Sequence, residues 1–510
     1  MRHVLFLITE LQRPVGGLYR FATEYLPIWR KAINEKETDY EPLVFAPHDI
    51  ALPLDDLQYE QKFEGIARKH NLKIYSAIRG LEKCYFIENQ LSEKELVDFH
   101  FELWQKYRIK SEKAILDPYY NRVLCPFWEG VRKIAKSLVE NLNYNIACID
   151  AQDWLAFPAG FLAKRELNRP LICRFHSGEF GRSMAKPDLE NAPVRIEACA
   201  FYEADYIIGV SVPETKFEIT NLLPLADKLA EELKGQESKL RYDYWEWKKR
   251  EYKRFLFFEP EKMHLIGKNS AGIPNGIILD IWKQIQVENI ANAKRVLRKM
   301  FPEKEFVILF IGRAERRKGL PPLLEAMKKI KSEVRAGLVI ASAMSDEEYK
   351  RYEWELKSMG LEKDVVIDRT WLSDLDKASL LCAPDILALP SLYEPFGIVT
   401  LEGLAADYAC ARNGIVGPAV ITGDTGGMSD VVRSGIDGFK VPVENFTINS
   451  DLLASLIVMV LEHPDLRKKT SANAAQRVQS DIFKWEQNLK HVIRTYEHAI
   501  MNHVLWKEET

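Results

Sequence analysis

The sequence predicts an α/β fold built as two Rossmann-like domains. Two observations carry this: short apolar runs alternate with helical patterns along most of the chain, and strand–helix turns in both halves hold paired glycines, Gly16-Gly17 and Gly426-Gly427. A third is scale: 510 residues, 47% apolar and 28% charged, suit a globular enzyme of two or three domains. Lysine plus arginine number 71 against 74 acids, a net charge of −3, so composition points to neither nucleic acid nor an anionic membrane as partner. The seven cysteines are scattered, lack a CxxC pair and mostly sit in apolar runs, which reads as buried thiols in a reducing compartment. Val4 to Ile8 is too short for a signal peptide and no run reaches the length of a membrane span. The expectation is a cytoplasmic protein without stable membrane insertion.

In the first half, Val4 to Ile8 reads as a strand. Gly16-Gly17 follows, then a helix from Leu18 to Ala32 with apolar spacing at Leu18, Phe21, Ala22, Tyr25 and Trp29. Glycines at such a corner let backbone N–H groups approach a phosphate. Residues 55–120 are charged and read as a helical insertion. Strands are expected at Ile146 to Asp150, Leu171 to Phe175 and Tyr206 to Ser211. His176 follows its strand directly, which places it at the C-terminal edge of the sheet, where open α/β folds bind ligands. Residues 222–264 read as a second helical insertion. There Tyr242, Tyr244, Trp245 and Trp247 interleave with Lys248, Lys249, Arg250, Lys253 and Arg254. The favoured reading packs these aromatics on the body and leaves the charges in solvent, with oligomerisation second.

The second half repeats the pattern. A helix from about Gln284 to Met300 leads to strands at Phe306 to Gly312, Gly337 to Ala343, Val365 to Asp368, Ile386 to Pro390 and Ala419 to Thr422. The first of these runs into Arg313, with Lys318-Gly319 shortly after. An arginine fork and a mobile lysine suit phosphate oxygens, and Arg316 and Arg317 leave open which cation serves. After Pro390 a helix opens at Gly397, so Glu394 lies on the loop and Glu402 about one turn in. Two carboxylates beside a helix N-terminus suit hydroxyl groups next to an anion, the features of a sugar nucleotide. Asp374-Leu375-Asp376 spells a metal-binding pattern but precedes Lys377 and a helical run, so the acids read as helix-start residues. Residues 407–417 read as a loop extension.

Glu394-Pro395-Phe396-Gly397 with Glu402 resembles the Glu-x7-Glu signature of retaining GT-B glycosyltransferases, the glycogen-synthase-like clan of family 4/5 type. Arg313 with Lys318-Gly319 resembles the clan's diphosphate-holding element. Asp153-Trp154 resembles an acceptor-side Asp-Trp element. His176-Ser177-Gly178-Glu179 with Arg182 resembles a His-Ser-x-Glu-x-x-Arg element, and Pro274-Asn275-Gly276 the hinge-side turn. Where glycogen synthases usually carry a lysine two residues before the glycine pair, this chain has Pro14, preceded by Arg13.

The resemblance implies two Rossmann-like domains facing across a cleft. Residues 1–280 would form the acceptor-side domain with insertions near 55–120 and 222–264. Residues 281–484 would form the nucleotide-sugar domain, and 485–510 a helix returning to the first. It implies retaining transfer of a hexosyl group, best a glucosyl group, from a UDP-, ADP- or GDP-sugar to a carbohydrate acceptor, best an α-glucan. Closure of the domains would exclude water. Glu394, His176, Arg313 and Lys318 would be catalytic. Gly16, Gly17, Glu402, Phe396, Gly397, Gly426 and Gly427 would bind the donor, and Asp153, Glu179 and Arg182 would lie on the acceptor side. No metal or other cofactor is expected, no nucleic-acid partner, and a homo-oligomer stays open. A small sugar, sugar phosphate or lipid acceptor, a GT-B epimerase or phosphorylase, and a non-catalytic glycan-binding regulator are the alternatives.

Overall fold

The computed structural model describes residues 1–13, 16–109, 118–252, 254, 257–259, 264–370 and 372–506. The chain divides into two units, Met1–Pro274 with Trp485–Thr510, and Asn275–Lys484. The sequence expectation set the first boundary at 280. The structure moves it to 274/275, because Ile277 N–H already donates to the Phe483 carbonyl at the far end of the second unit.

The first unit holds β1 (Arg2–Leu7), β2 (Tyr40–Pro47), β3 (Gln58–Tyr59), β4 (Leu72–Arg79), β5 (Glu82–Asn89), β6 (Ile146–Gln152), β7 (Leu171–Phe175), β8 (Tyr206–Gly209), β9 (Phe257–Glu259), β10 (His264–Ile266) and β11 (Ser270–Gly272). They make one sheet in the order β3-β4-β5-β2-β1-β6-β7-β8-β11-β10-β9. Its middle, β5 through β11, is parallel. Its two ends turn back antiparallel. Successive strands lie to opposite sides of the β1/β6 pair, so the order reverses there and the C-terminal ends of β1, β6 and β7 surround the crevice that such a reversal opens.

Residues 72–89 correct the expected helical insertion. They form a β-hairpin whose turn, Gly80-Leu81, has φ of 53° and 64°. Both positions in the left-handed region define the tight turn that suits the twist of paired strands. Residues 110–117 of that insertion lie outside the described residues.

The other insertion is helical at first, Val212–Leu233 and Lys239–Glu251, then supplies the edge strands β9 and β10. Trp245 is fully buried against Tyr202, and Lys248, also buried, donates to the carbonyls of Phe201, Tyr202 and Ala204. The lysine thereby caps the C-terminal end of helix Ala192–Glu203, where carbonyls lack helical partners and a cation meets the negative pole. Lys253 lies outside the described residues.

The helix Trp485–Leu505 completes this unit. Trp485 packs on Phe21 and Tyr25 and donates to Glu24 Oε2 at 2.9 Å. Asn488 and Asn502 donate to the backbone of Pro274 and Lys268.

The second unit holds β12 (Phe306–Ile311), β13 (Ala336–Ala341), β14 (Val365–Asp368), β15 (Ile386–Leu389), β16 (Ala419–Asp424) and β17 (Phe439–Pro442), in the order β14-β13-β12-β15-β16-β17 and parallel throughout. Strands buried on both faces carry continuous apolar runs such as Phe306-Val-Ile-Leu-Phe-Ile311. The order reverses between β12 and β15, which brings the loops after those two strands together. The expected loop at 407–417 is corrected in its first half: residues 407–412 are the last turns of helix Ile398–Arg412, 413–417 are turn and loop, and buried Asp407 accepts from Ser471 Oγ at 2.6 Å. Among the described residues no helix is long and apolar enough to cross a membrane.

Candidate active site

Glu394 stands on the loop between β15 and the helix Ile398–Arg412. Three backbone hydrogen bonds fasten that loop. Leu392 N–H donates to the Arg317 carbonyl at 2.7 Å, and Gly427 N–H donates to the carbonyls of Glu394 and Pro395 at 3.1 Å each. Glycine is required where the segments touch. A Cβ on Gly319 would overlap the Pro390 carbonyl oxygen, one on Gly426 the Glu394 carbonyl oxygen, and one on Gly427 the Phe396 backbone. Gly397, with φ of 92°, starts the helix, and a side chain there would strike Met428. Gly426 and Gly427 thus bring backbones together, and the Gly427 N–H is spent inside the protein instead of facing a donor. Phe396 is buried within this knot.

The cations after β12 sort themselves. Lys318 forms an ion pair with Glu394 Oε2. Arg317 is tied through Nε to Glu315 at 2.7 Å. Arg313 is exposed and reaches Glu315 only at 3.4 Å. Lys318 and Glu394 therefore neutralise each other at the reversal of the sheet, and Arg313 and Arg316 are exposed charges on the same loop.

Glu402, 1% exposed, is gripped through both oxygens by Lys377 Nζ at 2.9 and 2.8 Å. Lys377 sits on helix Asp374–Leu381, which Ser373 caps by accepting from Asp376 N–H. The two aspartates occupy the helix start, and the lysine after them is a site residue that the sequence reading passed over. Only a basic residue at that point of a short helix could have signalled it.

In the first unit, Gly16 (φ 105°) caps the helix that Gly17 begins, and a Cβ there would meet Glu10 Oε2. Pro14 lies outside the described residues. His176, at the end of β7, lies edge-on to Phe21 at 4.5 Å, with Nε2 3.0 Å from Gln152 Oε1. Burial and the Arg174 charge press its pKa well below the usual value, so the imidazole is neutral.

Asp153 accepts from the N–H groups of His176 and Ser177 at 2.9 and 3.3 Å, so its carboxylate clamps the His176 loop. Glu179 pairs with Arg182 at 3.1 Å, while its own N–H donates to the buried Glu197 carboxyl. Burial raises the Glu197 and Glu218 carboxyls well above the ordinary range. It pushes Asp153 up to about 6, against the pull of Arg182 and the two amides.

A carboxyl raised on folding gives stability that is present below its unfolded value of 3.8 and is lost as pH climbs through about 6. Asp153→Asn keeps an oxygen for both amides and removes that loss. Urea titration should find it more stable than the parent at pH 8, by up to about 3 kcal/mol, and no more stable at pH 4. Equal midpoints at pH 8 would mean that burial does not press on this carboxylate.

Two α/β units, each with a sheet that is parallel around its strand-order reversal, have the GT-B fold, and the second carries paired glutamates and cations at that reversal. Residues 296–477, within the second unit, match the family model of "Glycosyl transferases group 1". An uncharacterized glycosyltransferase of Methanocaldococcus jannaschii is 30% identical over 39% of this chain and 46% of its own length. The glycogen synthase of Mycobacterium tuberculosis is 28% identical over 35% of this chain and 39% of its own. The matches thus span less than half the length of both relatives. The sucrose-phosphate synthase of Thermosynechococcus elongatus shares the fold over 98% of both chains, with a TM-score of 0.60 and 18% identity.

Proposed function

We propose that the protein transfers a hexosyl group, in first place glucosyl, from a nucleotide-sugar to a carbohydrate acceptor with retention of anomeric configuration. The observation that carries this is the Lys318–Glu394 pair at the strand reversal of the second unit, with the Lys377–Glu402 pair one helical turn further on. Lys318, helped by Arg313, offsets charge that builds on the departing diphosphate, where preorganised cations contribute most. Glu394, released from Lys318 as the phosphate takes its place, accepts hydrogen bonds from the donor sugar. Glu402 accepts from the ribose, and Lys377 keeps that buried carboxylate neutralised. His176 hydrogen-bonds a sugar hydroxyl, and the Asp153 clamp holds its loop. With the leaving phosphate held, the acceptor hydroxyl attacks from the same face.

An α-glucan acceptor is favoured by the similarity to a glycogen synthase and by the His176-to-Arg182 element. A sugar-phosphate acceptor is the second reading, favoured by the fold shared with a sucrose-phosphate synthase. The test is nucleotide release from UDP-, ADP- and GDP-sugars, with glycogen, glucose or glucose phosphates, in the presence of a metal chelator. Glycogen-dependent release supports the glucan reading and release only with a small acceptor the second. Release that the chelator abolishes would refute the metal-free mechanism, and no release with any pair would favour a glycan-binding protein.

A further inference from the structure

Behind His176 runs a relay of buried hydrogen bonds that no role above accounts for. Tyr496 Oη donates to Asp150 Oδ2 at 2.6 Å, and Arg174 Nη2 donates to the same oxygen at 3.2 Å. Gln152 Nε2 donates to Asp150 Oδ1 at 2.6 Å, which turns the Gln152 carbonyl toward His176 Nε2, 3.0 Å away. Asp150, Gln152 and Tyr496 are each 0% exposed and Arg174 2%. Burial alone raises the Asp150 carboxyl, while Arg174, Tyr496 and Gln152 oppose it by donating to its charged form.

An ionised carboxylate only accepts hydrogen bonds. The amide beside it must therefore present NH₂ to Asp150 and oxygen to His176, and an oxygen there bonds only a protonated Nε2. From this the geometry points to Asp150 as a positioning residue that acts through Gln152, fixing His176 as the Nε2–H tautomer so that Nδ1 is its acceptor for a sugar hydroxyl. Tyr496, from the C-terminal helix, holds Asp150 in register. The second part rests on the transfer proposed above; the tautomer does not.

The isosteric change Asp150→Asn inverts the relay. The introduced amide keeps its oxygen toward Arg174, which can only donate, and so turns NH₂ toward Gln152. The Gln152 amide then flips, offers NH₂ to His176, and drives the ring proton to Nδ1.

The experiment is ¹⁵N NMR of the full chain with labelled histidine, the His176 signals assigned by their absence in His176→Ala. The expected result is an Nε2–H tautomer in the parent and Nδ1–H in D150N. Nucleotide release by D150N should fall by on the order of tenfold to a hundredfold, the scale of a misplaced site group. A parent His176 protonated on Nδ1 overturns the proposal by itself, so the test stands even if D150N does not fold. A D150N spectrum still showing Nε2–H overturns it too. A shifted proton with undiminished transfer overturns the positioning role. A parent that transfers nothing fails the functional reading instead, and the spectra still decide the tautomer.

Discussion

Glu394→Ala lowers sugar transfer by about 10²–10³-fold and leaves nucleotide affinity equal or tighter. The asymmetry follows from the ion pair. Lys318 is held by Glu394, and a diphosphate must compete with that carboxylate for the lysine. Removing Glu394 frees Lys318 and adds one net positive charge where the diphosphate binds. The same change takes away the acceptor for the donor sugar, so the complex forms and does not turn over. Calorimetric titration with a nucleoside diphosphate beside a release assay separates the two effects. A variant with full turnover, or one that binds no nucleotide at all, would refute the role assigned to the pair.

Gly319→Ala destabilises the second unit by about 4 kcal/mol or more. Gly319 has φ of 76°, already costly for any residue with a side chain. Its added Cβ would run into the Pro390 carbonyl oxygen, a backbone atom with no rotamer to yield. The loops after β12 and β15 would have to part. Since Arg317 holds Leu392 through its carbonyl, the Lys318–Glu394 pair would part with them. Urea unfolding followed by circular dichroism measures the loss, and nucleotide affinity should fall in parallel. Native stability in this variant would mean that the loops approach less closely than described.

How much of this was legible in the sequence depends on the range of the interaction concerned. Strands β12, β13 and β15 of the second unit are uninterrupted apolar runs followed by Gly312, Ser342 and Pro390, and both loops of its site follow such runs directly. The hairpin at 72–89 was not legible. β4 is buried on both faces except at Lys73 and Ile78, so it lacks alternation, and Leu81 occupies a turn position where Asn-Gly would have given a signal. Lys377 escaped because its partner Glu402 lies on the next helix but one strand away, a pairing that spacing alone does not reveal. The Asp150–Tyr496 bond spans 346 positions and is visible only once the last helix is seen to pack on the first unit. Asp153 was expected on the acceptor side. It stands just after β6 with φ of 59°, and its carboxylate accepts from the His176 loop.

The first unit is made of two separated stretches, and this orders its assembly on the ribosome. Residues 275–484 are contiguous, so the second unit can finish folding while the first still lacks its closing helix. At about 5–20 residues per second, the roughly 210 residues between Pro274 and Trp485 hold the nascent first unit open for about 10–40 seconds. During that interval Trp29 and Asp150 await Tyr496, and Phe21 and Tyr25 await Trp485. The earlier-made unit therefore completes its packing only once the helix from Trp485 has been made.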